Sequence, residues 1–210
     1  MTTHTALRTL GAVLYENFEL LDLFGPLEMF GNVTPEIKII TVAEQPGPVP
    51  SVQGPKTVAD FGFNDCPPLN LILLPGGIGT LKQLKNPALL EFLKNRSLSA
   101  EVTMSVCSGS ALLAGAGLLD GRRATSNKQF FTLATSQSDQ VHWVAEARWV
   151  EDGPFATSSG VSAGLDMALA IIARLFGRER AETIANRAEY VWQDDPGRDP
   201  FYKFLIRGGI

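Results

Sequence analysis

The chain has 210 residues, 45% of them apolar and 19% charged, with a formal net charge of −4 and only two cysteines. A chain of this length reads as one domain spanning 1–210, able to bury roughly 70% of its unfolded surface. Nucleic-acid binding is not expected, because there is no basic balance and no Lys/Arg cluster. A membrane span is not expected either, because no apolar stretch reaches the ~18 residues it needs. Cys66 and Cys107 are too few for a secreted disulfide scaffold, and the polar start Met1-Thr2-Thr3-His4-Thr5 has no signal-peptide pattern. The expected location is therefore cytoplasmic. With two histidines, His4 and His142, and no Cys-x-x-Cys, no metal site is expected.

Strand and helix patterns alternate along the chain. Leu7 to Tyr15 is an apolar β-type run. Leu20 to Phe30 is helical but contains Pro26, so the helix either starts near Gly25-Pro26 or kinks there. Ile37 to Val42 is the next strand, and the Pro/Gly-rich Gln45 to Pro55 predicts a loop with a short hairpin. Leu69 to Leu74 is continuously apolar and stops at Pro75-Gly76-Gly77-Ile78-Gly79, the pattern of a buried parallel strand ending in a glycine turn. Pro87 to Asn95 predicts a helix, and Val102 to Val106 a strand. Glu146 to Val150 and Phe155 to Ser158 flank Glu151-Asp152-Gly153, a hairpin turn. Ser162 to Phe176 is a strongly apolar helix closed by Gly177, followed by a helix over Arg178 to Val191. Arg198 to Phe204 is an extended aromatic tail, which must dock on the chain's own core or on a second subunit. This alternation implies a parallel sheet covered on both faces, with ligands bound beyond the carboxyl ends of its strands.

Three candidate elements fall at those ends. Cys107 lies in Val106-Cys107-Ser108-Gly109-Ser110, between a strand end and a helix of small residues. A strand-to-helix elbow of this kind is expected to hold the sulfur exposed and to lower its pKa through helix N–H groups. The alternative is a small buried core cysteine. The Gly76-Gly77 turn brings backbone N–H groups close to a ligand, or is a plain tight turn. Asp22, between leucines at a predicted helix start, is either an N-cap or a partly buried carboxyl whose raised pKa suits a proton donor near neutrality.

Leu-Pro-Gly-Gly at 74–77, Val-Cys-Ser-Gly-Ser at 106–110 and Ala-Gly-Leu-Leu-Asp-Gly-Arg-Arg-Ala-Thr at 116–125 resemble the ThiJ/PfpI superfamily. Two further segments are similar to its isocyanide hydratase branch, which shares them with related regulator domains: Leu21-Asp22-Leu23-Phe24-Gly25-Pro26 and Ser159-Gly160-Val161-Ser162-Ala163-Gly164-Leu165-Asp166. The resemblance covers about Gly11 to about Tyr190. It implies a flavodoxin-like three-layer α/β sandwich, like that of class I glutamine amidotransferases, with a mostly parallel sheet and a nucleophile elbow. It implies Cys107 as nucleophile, Asp22 as general acid/base, and the backbone N–H groups of Gly77 and Ser108 as an anion pocket. Gly76, Ile78 and Asn127 are candidates for lining the substrate pocket.

Two departures from that pattern matter. Ser108 stands where the hydratases carry threonine and keeps a hydroxyl. Asn127 stands where many relatives carry histidine, which puts the substrate in doubt more than the nucleophile. Histidine does not follow the cysteine, so the Cys-His dyad of the peptidase members is absent.

The activity so implied is hydration of a small-molecule electrophile. In the isocyanide case Cys107 attacks the terminal carbon, Asp22 delivers the proton, and a thioimidate forms. Water activated by the same carboxylate then releases an N-substituted formamide. No metal or organic cofactor is required. Two other readings stand: an enzyme acting on reactive carbonyls of the glyoxalase or deglycase type, and a non-catalytic redox-sensing or binding protein. The branch commonly forms homodimers, which makes a dimer the expected state. No helix-turn-helix pattern follows the domain, so a DNA-binding regulator is disfavoured.

Overall fold

The computed structural model describes residues 7–206. The polar segment 1–5, on which the expectation about a leader rests, lies outside them. The chain opens with β1 (Arg8–Val13), α1 (Leu20–Gly31) and β2 (Ile37–Ala43). The hairpin expected at Gln45–Pro55 runs further, as antiparallel β3 (Gly47–Pro50) and β4 (Lys56–Ala59), and the short β5 (Phe61–Gly62) follows. β6 (Leu71–Leu74) is buried at every position, as its apolar run requires. After α2 (Thr80–Gln83) comes α3 (Pro87–Ser97), opened by Pro87 and by the Asn86 side chain, which accepts from the Ala88 N–H. β7 (Val102–Ser105) is again buried throughout, and α4 (Gly109–Gly115) begins just past Cys107.

Residues 116–146, where no periodicity is visible, hold β8 (Arg123–Ala124), α5 (Phe131–Thr135) and β9 (His142–Trp143). β10 (Trp149–Asp152) and β11 (Phe155–Ser158) form the predicted hairpin, shifted: Glu151 and Asp152 belong to the strand and Gly153, at φ 59°, makes the turn. The last helices are α6 (Ala163–Phe176), α7 (Arg178–Arg187) and α8 (Lys203–Ile206).

Seven strands form one sheet in the order β10-β11-β7-β6-β1-β2-β5, parallel except for the β10–β11 edge pair. Helices α1, α6 and α7 pack together as one outer layer, and α2, α3 and α5 gather around α4 in the other. This is the expected flavodoxin-like three-layer sandwich. β2 lies on one side of β1 and β6 on the other, so the winding reverses at β1, where a crevice opens beyond the strand ends.

One expectation is narrowed and two are corrected. Helix α1 does not start at Gly25-Pro26; it runs from Leu20 to Gly31 with Pro26 inside, which leaves the kink alternative. Because proline has no N–H, the Asp22 backbone carbonyl one turn earlier lacks its helical donor. Helix α7 ends at Arg187 rather than Val191, where Glu189 at φ 50° breaks the path. The tail is not extended. It turns at 201–202 into α8 and docks on its own chain through Asp199, which is buried, while Phe201 and Tyr202 stay partly exposed. Among the described residues no helix is long and apolar enough to cross a membrane.

Candidate active site

The carboxyl ends of β6 and β7 lie side by side, with Leu74 opposite Ser105, so the residues after them must meet. They are Gly76-Gly77 and Cys107-Ser108. Asp22 arrives from α1, which follows the neighbouring β1. Cys107 has φ 58°, a left-handed conformation that a non-glycine residue adopts at a cost of about 1–3 kcal/mol. Its N–H donates to Ser159 O at 3.1 Å, and its carbonyl accepts from the hydroxyls of Ser110 and Ser126. The elbow is therefore held from three sides.

Asp22 is fully buried. Its Oδ2 accepts the Gly76 N–H at 2.9 Å, a contact across 54 positions of sequence. Glu19 is the helix N-cap and makes no side-chain cap, while Asp22 sits inside the first turn, so the N-cap alternative for Asp22 is overturned. Oδ1 is buried with no hydrogen-bond partner. Burial pushes the carboxyl up to about 8, outweighing the Gly76 N–H, and Glu19 adds to the rise. Gly76 has no room for a side chain: a Cβ there would stand 2.6 Å from Ser108 N and Oγ and 3.0 Å from Asp22 Oδ2.

The sulfur of Cys107 does not match its expected state. The residue is only 6% exposed, and burial pushes its thiol strongly up, with the neighbouring Asp22 carboxylate adding to the rise. The expected open, low-pKa thiolate is therefore corrected, since desolvation outweighs the donors around it. Those donors are present all the same. The N–H groups of Ser108 and Val161 and the Asn127 amide, at 3.1 Å, point at the sulfur and favour its charged form.

Asn127, whose orientation the sequence leaves open, faces the site. Its Oδ1 accepts from the N–H groups of Gln129 and Phe130 at 2.8 and 3.0 Å, which leaves Nδ2 for the sulfur. Gly160 makes room for that amide, since a Cβ there would collide with Asn127 Nδ2. Ile78 is 57% exposed at the rim of the glycine turn. The Gly77 N–H donates to the Ser108 hydroxyl at 3.1 Å. Cys66 stands apart: it precedes the start of β6, whereas Cys107 follows the end of β7, so the two free thiols sit toward opposite ends of the sheet.

Reasoning from residue types and motifs missed two parts of the site. Val161 holds its N–H toward the sulfur from φ 40°, a strained position for a β-branched residue that no composition signal marks. The second part is a buried ionic cluster behind Asn127. Arg148 pairs with Asp166 at 2.7 Å and approaches Asp199 at 3.7 Å, while Lys128 lies 3.7 Å from Asp199 and donates to Ala147 O at 2.6 Å. Burial lowers Lys128 to about 8 against the pull of Asp199. Asp166 also accepts from the Tyr190 hydroxyl and the Gln193 N–H, which binds the tail to α6. The presence of Asp166 in the 159–166 motif was the one available signal. A cleft of about 230 Å³ opens beside this cluster, lined by Asn127, Gly160, Val161, Ser162, Phe201 and Phe204.

A cysteine on a strand-to-helix elbow, facing a buried carboxyl at the winding reversal of a flavodoxin-like sandwich, defines a class of protein. The chain belongs to the DJ-1/PfpI family, whose pattern matches residues 11–174. It is 32% identical over 181 residues to the isonitrile hydratase of Pseudomonas putida, covering 86% of this chain and 78% of that one. It is 31% identical to DJ-1 homolog A of Arabidopsis thaliana, over 77% of this chain and 43% of that protein. It is also 29% identical to the HTH-type transcriptional regulator CdhR of Pseudomonas aeruginosa, over 67% of this chain and 41% of the regulator. Among solved structures, a ThiJ/PfpI family protein from Pseudomonas syringae superposes with a TM-score of 0.80 at 35% identity. That match covers 89% of this chain and 76% of the other.

Proposed function

We propose that the protein is a cysteine-dependent hydratase of a small electrophile, acting on an isocyanide to give an N-substituted formamide. The observation that carries this reading is the Asp22 carboxyl: fully buried, with Oδ1 unpartnered and its pKa pushed up to about 8 beside the thiol. At neutral pH both groups keep their protons, and this chemistry uses both. Asp22 gives its proton to the isocyanide carbon as the sulfur bonds to that carbon, and the carboxylate left behind takes the thiol proton. The product is a thioformimidate, with Asp22 protonated again. In the second half Asp22 protonates the thioformimidate nitrogen and the resulting carboxylate takes a proton from the attacking water. Collapse to the formamide breaks the C–S bond, and the sulfur leaves with a proton. The raised thiol pKa is therefore no obstacle, because the base sits against the sulfur. The cleft beside Asn127 and Val161 is the space for the substrate's substituent. The similarity to an isonitrile hydratase over most of both chains supports the same reading. A homodimer belongs to it as well, and sedimentation reads that state directly.

The test is formamide production by wild type, Cys107→Ala and Asp22→Asn, with circular dichroism as the folding control. Turnover is expected in the wild type alone. Activity that persists in Asp22→Asn removes the proton-transfer role, and no activity in the wild type across several isocyanides moves the reading to carbonyl chemistry or redox sensing.

A further inference from the structure

A chain of buried hydroxyls runs into the site through Tyr15, Thr80 and Ser108. Tyr15 Oη donates to Pro75 O at 2.7 Å and lies 3.1 Å from Thr80 Oγ1. Thr80 Oγ1 lies 3.0 Å from Ser108 Oγ, which accepts the Gly77 N–H at 3.1 Å. These four contacts share four hydrogens, and only one arrangement fills all of them. Pro75 O can only accept, so it takes the Tyr15 hydrogen. Tyr15 oxygen then accepts from Thr80, Thr80 oxygen accepts from Ser108, and Ser108 oxygen accepts from Gly77. The competing contact from Ser108 Oγ to Gly77 O is longer, at 3.4 Å, and making it would leave one of the four contacts without a hydrogen. Burial keeps the Tyr15 phenol protonated, so the chain retains its direction.

The backbone donors expected to form an anion pocket are thus already occupied. Gly76 N–H serves Asp22, Ser108 N–H serves the sulfur, and Gly77 N–H serves the Ser108 hydroxyl. We propose that the Ser108 hydroxyl, held as an acceptor by Thr80 and Tyr15, stoppers the Gly77 N–H and so biases Cys107 against electrophiles whose attack builds a full oxyanion. Esters and reactive carbonyls form such an oxyanion. Addition of a thiol to an isocyanide carbon does not. Thr80 and Tyr15 act through Ser108 as positioning residues for selectivity.

The inference rests on Cys107 as the nucleophile of the proposed reaction, but its test uses no isocyanide, so the two fail separately. Two probes of the same thiol are compared. With iodoacetamide the sulfur bonds to the methylene carbon, iodide leaves and the thiol proton passes to buffer, and no charge develops on oxygen. With p-nitrophenyl acetate the sulfur bonds to the carbonyl carbon and its electron pair moves onto oxygen. That oxyanion then collapses to expel p-nitrophenolate, and the thiol proton passes to buffer. The measured quantity is the ratio of ester to alkylation rates at Cys107, with Cys107→Ala as background.

Ser108→Ala frees the Gly77 N–H, and the ratio is expected to rise about tenfold or more, since one oxyanion donor is worth about 10²–10³ in rate. Thr80→Val, which removes the acceptor that orients Ser108, is expected to raise the ratio in the same direction. Thr80→Ser, which restores a hydroxyl, is expected to hold it at the wild-type value. A ratio unchanged in both Ser108→Ala and Thr80→Val overturns the proposal. A rise in Thr80→Ser as large as in Thr80→Val overturns the role of the hydroxyl chain.

Discussion

Replacing Asp22 with asparagine should make the protein more stable as it makes it inactive, and the gain should depend on pH. The fold raises this carboxyl from its ordinary 3.8 to about 8. Between those values the native state holds a proton that the unfolded chain has released, so stability falls as pH rises. Each pH unit costs about 1.4 kcal/mol, so the whole interval amounts to about 6 kcal/mol at full burial. Well below pH 4 both states are protonated and there is no penalty; above about 8 the penalty is complete. Asparagine keeps the shape and an oxygen for the Gly76 N–H but carries no titration. The difference in unfolding free energy, variant minus wild type, should therefore climb from pH 4.5 to 8 and then level off. Urea unfolding of both proteins at pH 4.5, 6, 7.5 and 9 reads this directly. A difference that stays flat across the series would mean that Asp22 is already ionised at neutral pH in the native state. The carboxyl could then not donate the proton that the proposed hydration needs, whatever its effect on turnover.

Arg148→Met leaves Asp166 buried without its 2.7 Å partner and should cost about 3–5 kcal/mol by urea unfolding, a large part of it recovered by the double variant Arg148→Met/Asp166→Leu. A loss below about 1 kcal/mol would show that Tyr190 and Gln193 satisfy the carboxylate alone. Gly160→Ala should displace the Asn127 amide from the sulfur, raise the thiol further and slow alkylation at pH 8. Asn127→Ala should match it, and unequal shifts would argue against a shared cause. Mild peroxide should yield a Cys107 sulfinate, with Asp22 and the N–H and amide groups around the sulfur stabilising it, and no Cys66–Cys107 disulfide. Peptide mass spectrometry distinguishes the two products.

The sheet was legible because its strands are apolar where they matter: Leu71–Leu74 is apolar throughout, and Val102–Ser105, although it alternates Val-Thr-Met-Ser, is buried at every position. The elbow was legible because Ser-Gly-Ser cannot continue a core strand. Residues 116–146 were not, since two-residue strands and a five-residue helix are too short to set up a period. The state of the thiol was misjudged for a different reason. Residue types report the donors near Cys107, but they do not report how completely the fold excludes water, and desolvation is the larger effect. The N-cap reading of Asp22 failed because its true partner, Gly76, comes from the turn after β6, far along the chain.

The buried cluster around Arg148 also bears on synthesis. Asp199 closes onto Lys128, whose neighbour Asn127 holds the sulfur, and Tyr190 and Gln193 close onto Asp166, a few residues past Val161. A nascent chain that has emerged only as far as α6 already contains the cysteine, the aspartate and every strand of the sheet. Asp199, Tyr190 and Gln193, which pin the loops beside the sulfur, are still inside the ribosome at that moment. The loops that carry Asn127 and Val161 therefore gain these anchors only after the sheet and the elbow are complete, when residues 190–199 arrive.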